Sequence, residues 1–174
     1  MVIEYMATHY FPDPDVPALQ PFTQAFVRMM FAHAEFERGI SDLMDLITGI
    51  VGFGERPSSL WQADKRPKLM KKLINEHRPD GLPEKAHIVA CLKRSISFFR
   101  VRNLLAHGIW WEFDEDTNSI TVRSGVKRRN EDQHRTFTVA EIQDTANSLN
   151  ELEAELWNLK RAIEAGAPGN ATRI

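Results

Sequence analysis

Apolar positions in the first third of the chain recur with alternating steps of four and three. Phe22, Phe26, Met29, His33, Phe36, Ile40, Leu43, Ile47 and Ile50 form one such series, which predicts a single long amphipathic helix over residues 19–52. His33 sits where the stripe calls for an apolar side chain. It reads either as a core-edge histidine bonded to a neighbour or, with Glu37, as the lining of a polar cavity. Gly39 weakens the helix locally and admits close approach of another helix. Gly52, Gly54 and Pro57 are the expected stop. A shorter helix is predicted over 65–77, with Leu69, Leu73 and Ile74 inward. Its Lys65, Arg66, Lys68, Lys71 and Lys72 form a basic face, read as solvated surface in preference to a phosphate site. Residues 77–83 break the pattern with two prolines and a glycine. The central helix is then expected over 84–106, with Val89, Leu92, Ile96 and Phe99 on its stripe. The same spacing reaches Asn103 and Ala106, which puts Asn103 on the inward face. A buried amide without partners costs about 1–3 kcal/mol, so such a residue must be bonded or at work.

After Gly108 the period changes to that of strands. Residues 109–113 and 119–123 are β-favouring runs separated by a turn-rich acidic loop, which predicts a hairpin, joined by a third short strand near Thr136, Phe137 and Thr138. Lys127, Arg128 and Arg129 fall in an exposed loop between them. The last helix is predicted over 139–165, with Thr138 as N-cap and Glu141 three residues on, a capping-box pattern. Its stripe is Val139, Ile142, Ala146, Leu149, Leu152 or Glu153, Leu156, Leu159 and Ile163. Pro12, Pro14 and Pro17 make residues 1–18 an extended arm, whose apolar Val2, Ile3, Tyr5, Met6, Tyr10 and Phe11 pack on their own domain or on a partner subunit. Residues 166–174 read as a flexible tail. The expected architecture is mainly α: one domain over 19–165, an antiparallel helical bundle with a small β-hairpin inserted before the last helix.

Composition narrows the function classes. A chain of 174 residues with net charge -2 is one domain, and any polyanion contact must come from a local patch. One patch qualifies: residues 93–135 hold nine Lys and Arg against six acids. The single cysteine, Cys91, forms no intramolecular disulfide and reads as a small buried hydrophobe. No apolar run approaches the roughly 20 residues that span a bilayer. The start of the chain lacks a secretory signal pattern, so a soluble cytoplasmic protein is expected. The six histidines lack metal-ligand spacing, which disfavours a metal-dependent hydrolase. No P-loop, dinucleotide fingerprint or nucleophile elbow is present, and no metal or cofactor is expected.

The chemistry-bearing stretch is Arg100-Val101-Arg102-Asn103-Leu104-Leu105-Ala106-His107-Gly108. Arginine offers a permanent cationic fork for phosphate oxygens, and histidine can exchange a proton near neutral pH. RNA carries its own nucleophile, the 2′-OH, so a base and a cation suffice to cleave it. Five helical steps set Arg102 and His107 about 140° apart. They converge if His107 lies in the last turn beside Gly108, or across a two-fold axis between two copies.

Arg102-Asn103-Leu104-Leu105-Ala106-His107 resembles the R-x(4–6)-H motif of HEPN (higher eukaryotes and prokaryotes nucleotide-binding) domains, in the form with a polar residue after the arginine. The helical context and the continuation Gly108-Ile109-Trp110-Trp111 are similar to that family too. The resemblance implies a HEPN-like bundle that dimerises and acts as a metal-independent endoribonuclease. Such proteins occur in toxin–antitoxin, abortive-infection and CRISPR-linked defence systems and in RNA processing, so a cognate antitoxin or regulatory protein is an expected partner beside RNA. It further implies that Arg102 and His107 are catalytic and that Asn103 orients them. An acidic residue of the first helix, Glu35 or Glu37, often accompanies the site. Arg100, Trp110, Glu37 and His33 are the expected substrate contacts, with Trp110 and Trp111 offering rings for base stacking, although packing claims at least one of the pair. The competing reading keeps the fold without catalysis: a helical interaction or nucleotide-sensing module.

Overall fold

The computed structural model describes the backbone of Val2–Glu4 and residues 16–54, 62–124 and 134–166. It is mainly helical. The helices are α1 (Gln20–Thr48), α2 (Arg66–His77), α3 (Lys85–His107) and α4 (Val139–Gly166). Strands β1 (Val2–Glu4), β2 (Gly108–Asp114), β3 (Ser119–Ser124) and β4 (His134–Thr138) form one antiparallel sheet in that order. Three strands lie where the sequence pattern put them. The first was not anticipated, because a run of three residues is too short to show a period. It pairs Ile3 with Phe113 on β2, which gives the start of the expected arm a place in this chain's own sheet. The expected arm's remaining apolar residues Tyr5, Met6, Tyr10 and Phe11, the basic loop at Lys127, Arg128 and Arg129, and the tail from residue 167 lie outside the described residues. Among the described residues no helix is long and apolar enough to cross a membrane.

The chain divides into two compact units, Met1–His33 with Phe98–Leu149, and Ala34–Ser97 with Asn150–Ile174. In the first, the inner face of the sheet carries Trp110, Phe113, Ile120, Val122 and Phe137, all buried. The rings of Phe22 and Phe26 on α1 meet Phe113 and Trp110 edge to face, at centroid distances of 5.8 and 5.7 Å. Leu105 of α3 and Ile142, Ala146 and Leu149 of α4 complete this core. The capping box at the start of α4 forms as expected. Thr138 Oγ1 accepts from Glu141 N at 3.2 Å, and the Glu141 carboxylate accepts from Thr138 N at 2.8 Å.

In the second unit the core is Phe36, Ile40, Leu43, Met44 and Ile47 of α1, Met70, Leu73 and Ile74 of α2, Ile88, Cys91 and Leu92 of α3, and Leu152, Leu156, Leu159 and Ile163 of α4. The pairings Gly39 with Leu156 and Asp42 with Lys160 advance along both chains, so α1 and α4 run in the same direction here. The bonds from Arg66 to Glu37 and from Arg78 to the Leu46 carbonyl advance likewise for α1 and α2. Simple up-and-down alternation therefore does not hold for these pairs. The connection between Thr48 and Arg66 is too long to force an antiparallel helical hairpin. Helix α1 ends at Thr48, earlier than glycine spacing suggested, because Gly49 takes φ 71° and Asp45 accepts from Gly52 N and Gly54 N at 2.6 and 2.8 Å. Ile50 is consequently exposed.

Two inward faces differ from expectation. On α3 the buried series is Ile88, Cys91, Leu92, Ser95, Phe99 and Leu105, so the stripe passes one position to the side of the Val89–Ile96–Asn103 line, and Asn103 is exposed. On α2, Arg66 leaves the basic face: its buried guanidinium donates to Glu37 at 2.6 Å. The other cations of that face, Lys65, Lys68, Lys71 and Lys72, are exposed.

Candidate functional site

The last turn of α3 brings together Arg102, Asn103 and His107. Arg102 Nη1 donates to Asn103 Oδ1 at 2.9 Å and lies 3.5 Å from His107 Nε2. Within a perfect helix positions 102 and 107 diverge; His107 lies in the last turn beside Gly108, the arrangement under which the sequence predicts convergence, and the long arginine side chain spans the turn. The guanidinium and the imidazole thus share one turn of the helix end. Arg102 is half-buried while Asn103 and His107 are exposed. Its Nε is buried with no hydrogen-bond partner, and among the described residues no carboxylate pairs with it. The guanidinium lies against an amide and an imidazole.

Three features fix the end of α3. His107 is its last residue and Gly108 the first of β2. A Cβ on Gly108 would stand 2.4 Å from the Leu104 carbonyl oxygen and 2.5 Å from Val122 Cγ1, so only glycine allows the strand to leave the helix so closely. The indole Nε1 of Trp110 donates to the Leu105 carbonyl at 2.9 Å, satisfying one of the carbonyls that a helix end leaves open.

That bond corrects the expected role of Trp110. Its side chain is 4% exposed and its ring meets Phe26, so it braces the helix end instead of offering a face to a base. Trp111 is the exposed member of the pair. The ladder pairs Trp110 with Val122 and then Glu112 with Thr121, leaving Trp111 as the extra residue of a β-bulge. Bulges re-aim a side chain, and this one puts both Trp110 and Phe113 inside while Trp111 faces out. Strict alternation cannot bury positions 110 and 113 together, which is the signal that sequence reading passed over. Arg123, counted there only as charge, lies with its guanidinium carbon 5.6 Å from the Trp111 ring centroid.

The remaining expected contacts divide. Arg100 is exposed on the same helical turn. His33 is buried at 4%, its ring edge-on to Phe99 at 4.4 Å, which matches the reading of a histidine satisfied within the core. Glu37 belongs to the second unit, where it takes the ion pair from Arg66 at 2.6 Å. Glu35 pairs with Arg38. Each acidic candidate thus has an arginine of its own unit as partner. Among the described residues no group of three His, Cys, Asp or Glu side chains comes together in a way that holds a metal ion. Cys91 is buried, with Sγ 3.7 Å from the Leu152 carbonyl. Burial, reinforced by the Glu155 carboxylate, pushes its thiol up to about 12, which leaves it a packing residue. Family models, curated proteins and solved structures were all compared with this chain, and none matches.

Proposed function

We propose that the protein is a metal-independent endoribonuclease of HEPN type that acts as a homodimer. The observation that carries the reading is the Arg102–Asn103–His107 cluster, a cation with no carboxylate partner among the described residues, beside an exposed imidazole at a fixed helix end. His107 Nε2 takes the proton of a ribose 2′-OH. The 2′-oxygen then bonds to the adjacent phosphorus, and Arg102 stabilises the charge on the non-bridging oxygens. The 5′-oxygen leaves and takes a proton from solvent, giving a 2′,3′-cyclic phosphate and a 5′-hydroxyl. Asn103 holds the guanidinium in place.

Dimerisation would bring two such clusters into one cleft. The apolar side chains of Val27 and Phe31, 44% and 68% exposed one turn apart on α1, support a partner surface on the same unit. A toxin or defence effector with a cognate antitoxin or regulatory protein is the biological role that suits such an enzyme.

The test is cleavage of labelled single-stranded and structured RNA in EDTA by the wild type, Arg102→Ala and His107→Ala. Metal-independent cutting with a cyclic phosphate end, reduced about 10²–10⁴-fold in each variant, is the expected result. A folded dimeric wild type that cuts nothing overturns the catalytic reading and leaves the interaction or nucleotide-sensing module in its place.

A further inference from the structure

The outer face of the sheet carries groups that the cleavage chemistry does not use. The bulge in β2 leaves the Trp111 side chain 46% exposed, and the Arg123 guanidinium over its ring steadies it through a cation–π contact. The strand registers align Ile109 with Arg123 and Arg123 with His134, making one row across β2, β3 and β4. The next row joins Thr121 and Thr136 through their hydroxyls at 3.0 Å. The first row begins two residues beyond His107, at the end of the sheet where α3 enters. The opposite end is the hairpin turn with Asp114, Glu115 and Asp116. A polyanion is therefore repelled from the tip and favoured at the end nearest His107.

The geometry points to a subsite for single-stranded RNA on this face, with an unpaired base next to the cleaved linkage stacked on Trp111 and the backbone crossing the sheet at Arg123. The strand leaves the Arg102–His107 cluster over the row Ile109–Arg123–His134 and not along the hairpin. Trp111 is four residues from His107, at most ~13 Å along an extended chain, well inside the footprint of ~4 or more nucleotides usual for such grooves. An aromatic face accepts any base, whereas a duplex keeps its bases stacked on one another. The subsite thus selects unpaired over paired RNA without reading sequence. This inference rests on RNA as the substrate of the proposed site, and its test separates the two.

Binding is measured by fluorescence anisotropy on the full-length His107→Ala protein, with a short unstructured oligoribonucleotide and with the same strand annealed to its complement. Adding Trp111→Ala weakens single-strand binding about tenfold, Trp111→Phe restores most of it, and duplex binding responds to neither. Trp111→Ala binding the single strand as tightly as its parent overturns the subsite, as does an equal loss on the duplex. Cleavage by the otherwise wild-type protein supplies the separation. Cutting with KM unchanged in Trp111→Ala removes the subsite and keeps the nuclease. Binding that depends on Trp111 in a protein that cuts nothing keeps the subsite and removes the nuclease.

Discussion

Helix α3 treats its two halves differently, and two of its arginines mark the contrast. In the second unit Arg94 is tied to the carboxylate of Glu155, and that hydrogen bond holds its charge more firmly still. Around it Cys91 and Ser95 spend their polar atoms on the carbonyls of Leu152 and Leu92. In the first unit Arg102 meets, among the described residues, an amide and an imidazole. Both are arginines of the same helix, so residue type does not separate them. Their partners do: a carboxylate neutralises a guanidinium, whereas an amide orients it and leaves the charge for a ligand. The same residue type thus meets a carboxylate at one position and an amide and an imidazole eight positions later.

The first way to break this comparison is at the joint that ends the helix. Gly108→Ala forces a Cβ against the Leu104 carbonyl oxygen and Val122, a clash with backbone that no rotamer relieves. A loss of roughly 1–3 kcal/mol is expected, read as a lower thermal midpoint. Because His107 is the adjacent residue, cleavage should fall further than the loss of folded protein accounts for. An unchanged midpoint together with full activity would show that the joint does not position the imidazole.

A smaller effect sharpens it. Arg94→Ala removes an ion pair whose arginine is 55% and whose glutamate 26% exposed, so solvent screening limits the loss to about 0.2–1 kcal/mol. Catalysis should be untouched. Arg102→Ala should show the reverse, with little loss of stability, since it gives up one exposed hydrogen bond to Asn103 and no ion pair among the described residues, and with activity reduced about 10²–10⁴-fold. Denaturant melts and cleavage rates on the two variants decide it. A stability loss in Arg102→Ala equal to that in Arg94→Ala would make the cluster structural.

How much of this was legible in the chain follows from the physics of each signal. The existence of the helices came through because long stripes on α1 and α4 repeat many times, and the end of α3 and the start of α4 because Gly108 and the Thr138–Glu141 box punctuate them; the end of α1 did not, since Gly49 and the Asp45 bonds stop it before Gly52. Helix α3 was harder. Its apolar positions are interrupted by Ser95 and flanked by Val89 and Ile96, so two stripes one residue apart fit about equally, and the wrong one carried Asn103 inside. Long side chains hid two more facts, since Arg66 folds inward to Glu37 and Arg102 swings back to His107. Neither follows from position on a helical wheel. The bulge at Trp111 needed two observations together, a buried Trp110 and a buried Phe113, which alternation alone forbids.

A last expected effect lies in the buried half of α3. The Cys91 thiol is pushed up to about 12 in the folded chain, chiefly by burial, against about 8.5 when unfolded. A raised acid pKa means that the folded state holds its proton where the unfolded state has released it. Below about pH 8.5 neither state ionises and stability is unaffected. As pH rises from there toward 12, the unfolded state gains the favourable thiolate and stability falls, by at most about 1.4 kcal/mol per pH unit. Denaturant melts between pH 8 and about 10 should therefore show a downward slope that Cys91→Ala reduces. The thiol should also resist alkylation until the chain unfolds. Rapid labelling of the native protein near pH 8 would place a solvent path beside Cys91 and remove the contrast between the packed half of α3 and its exposed end.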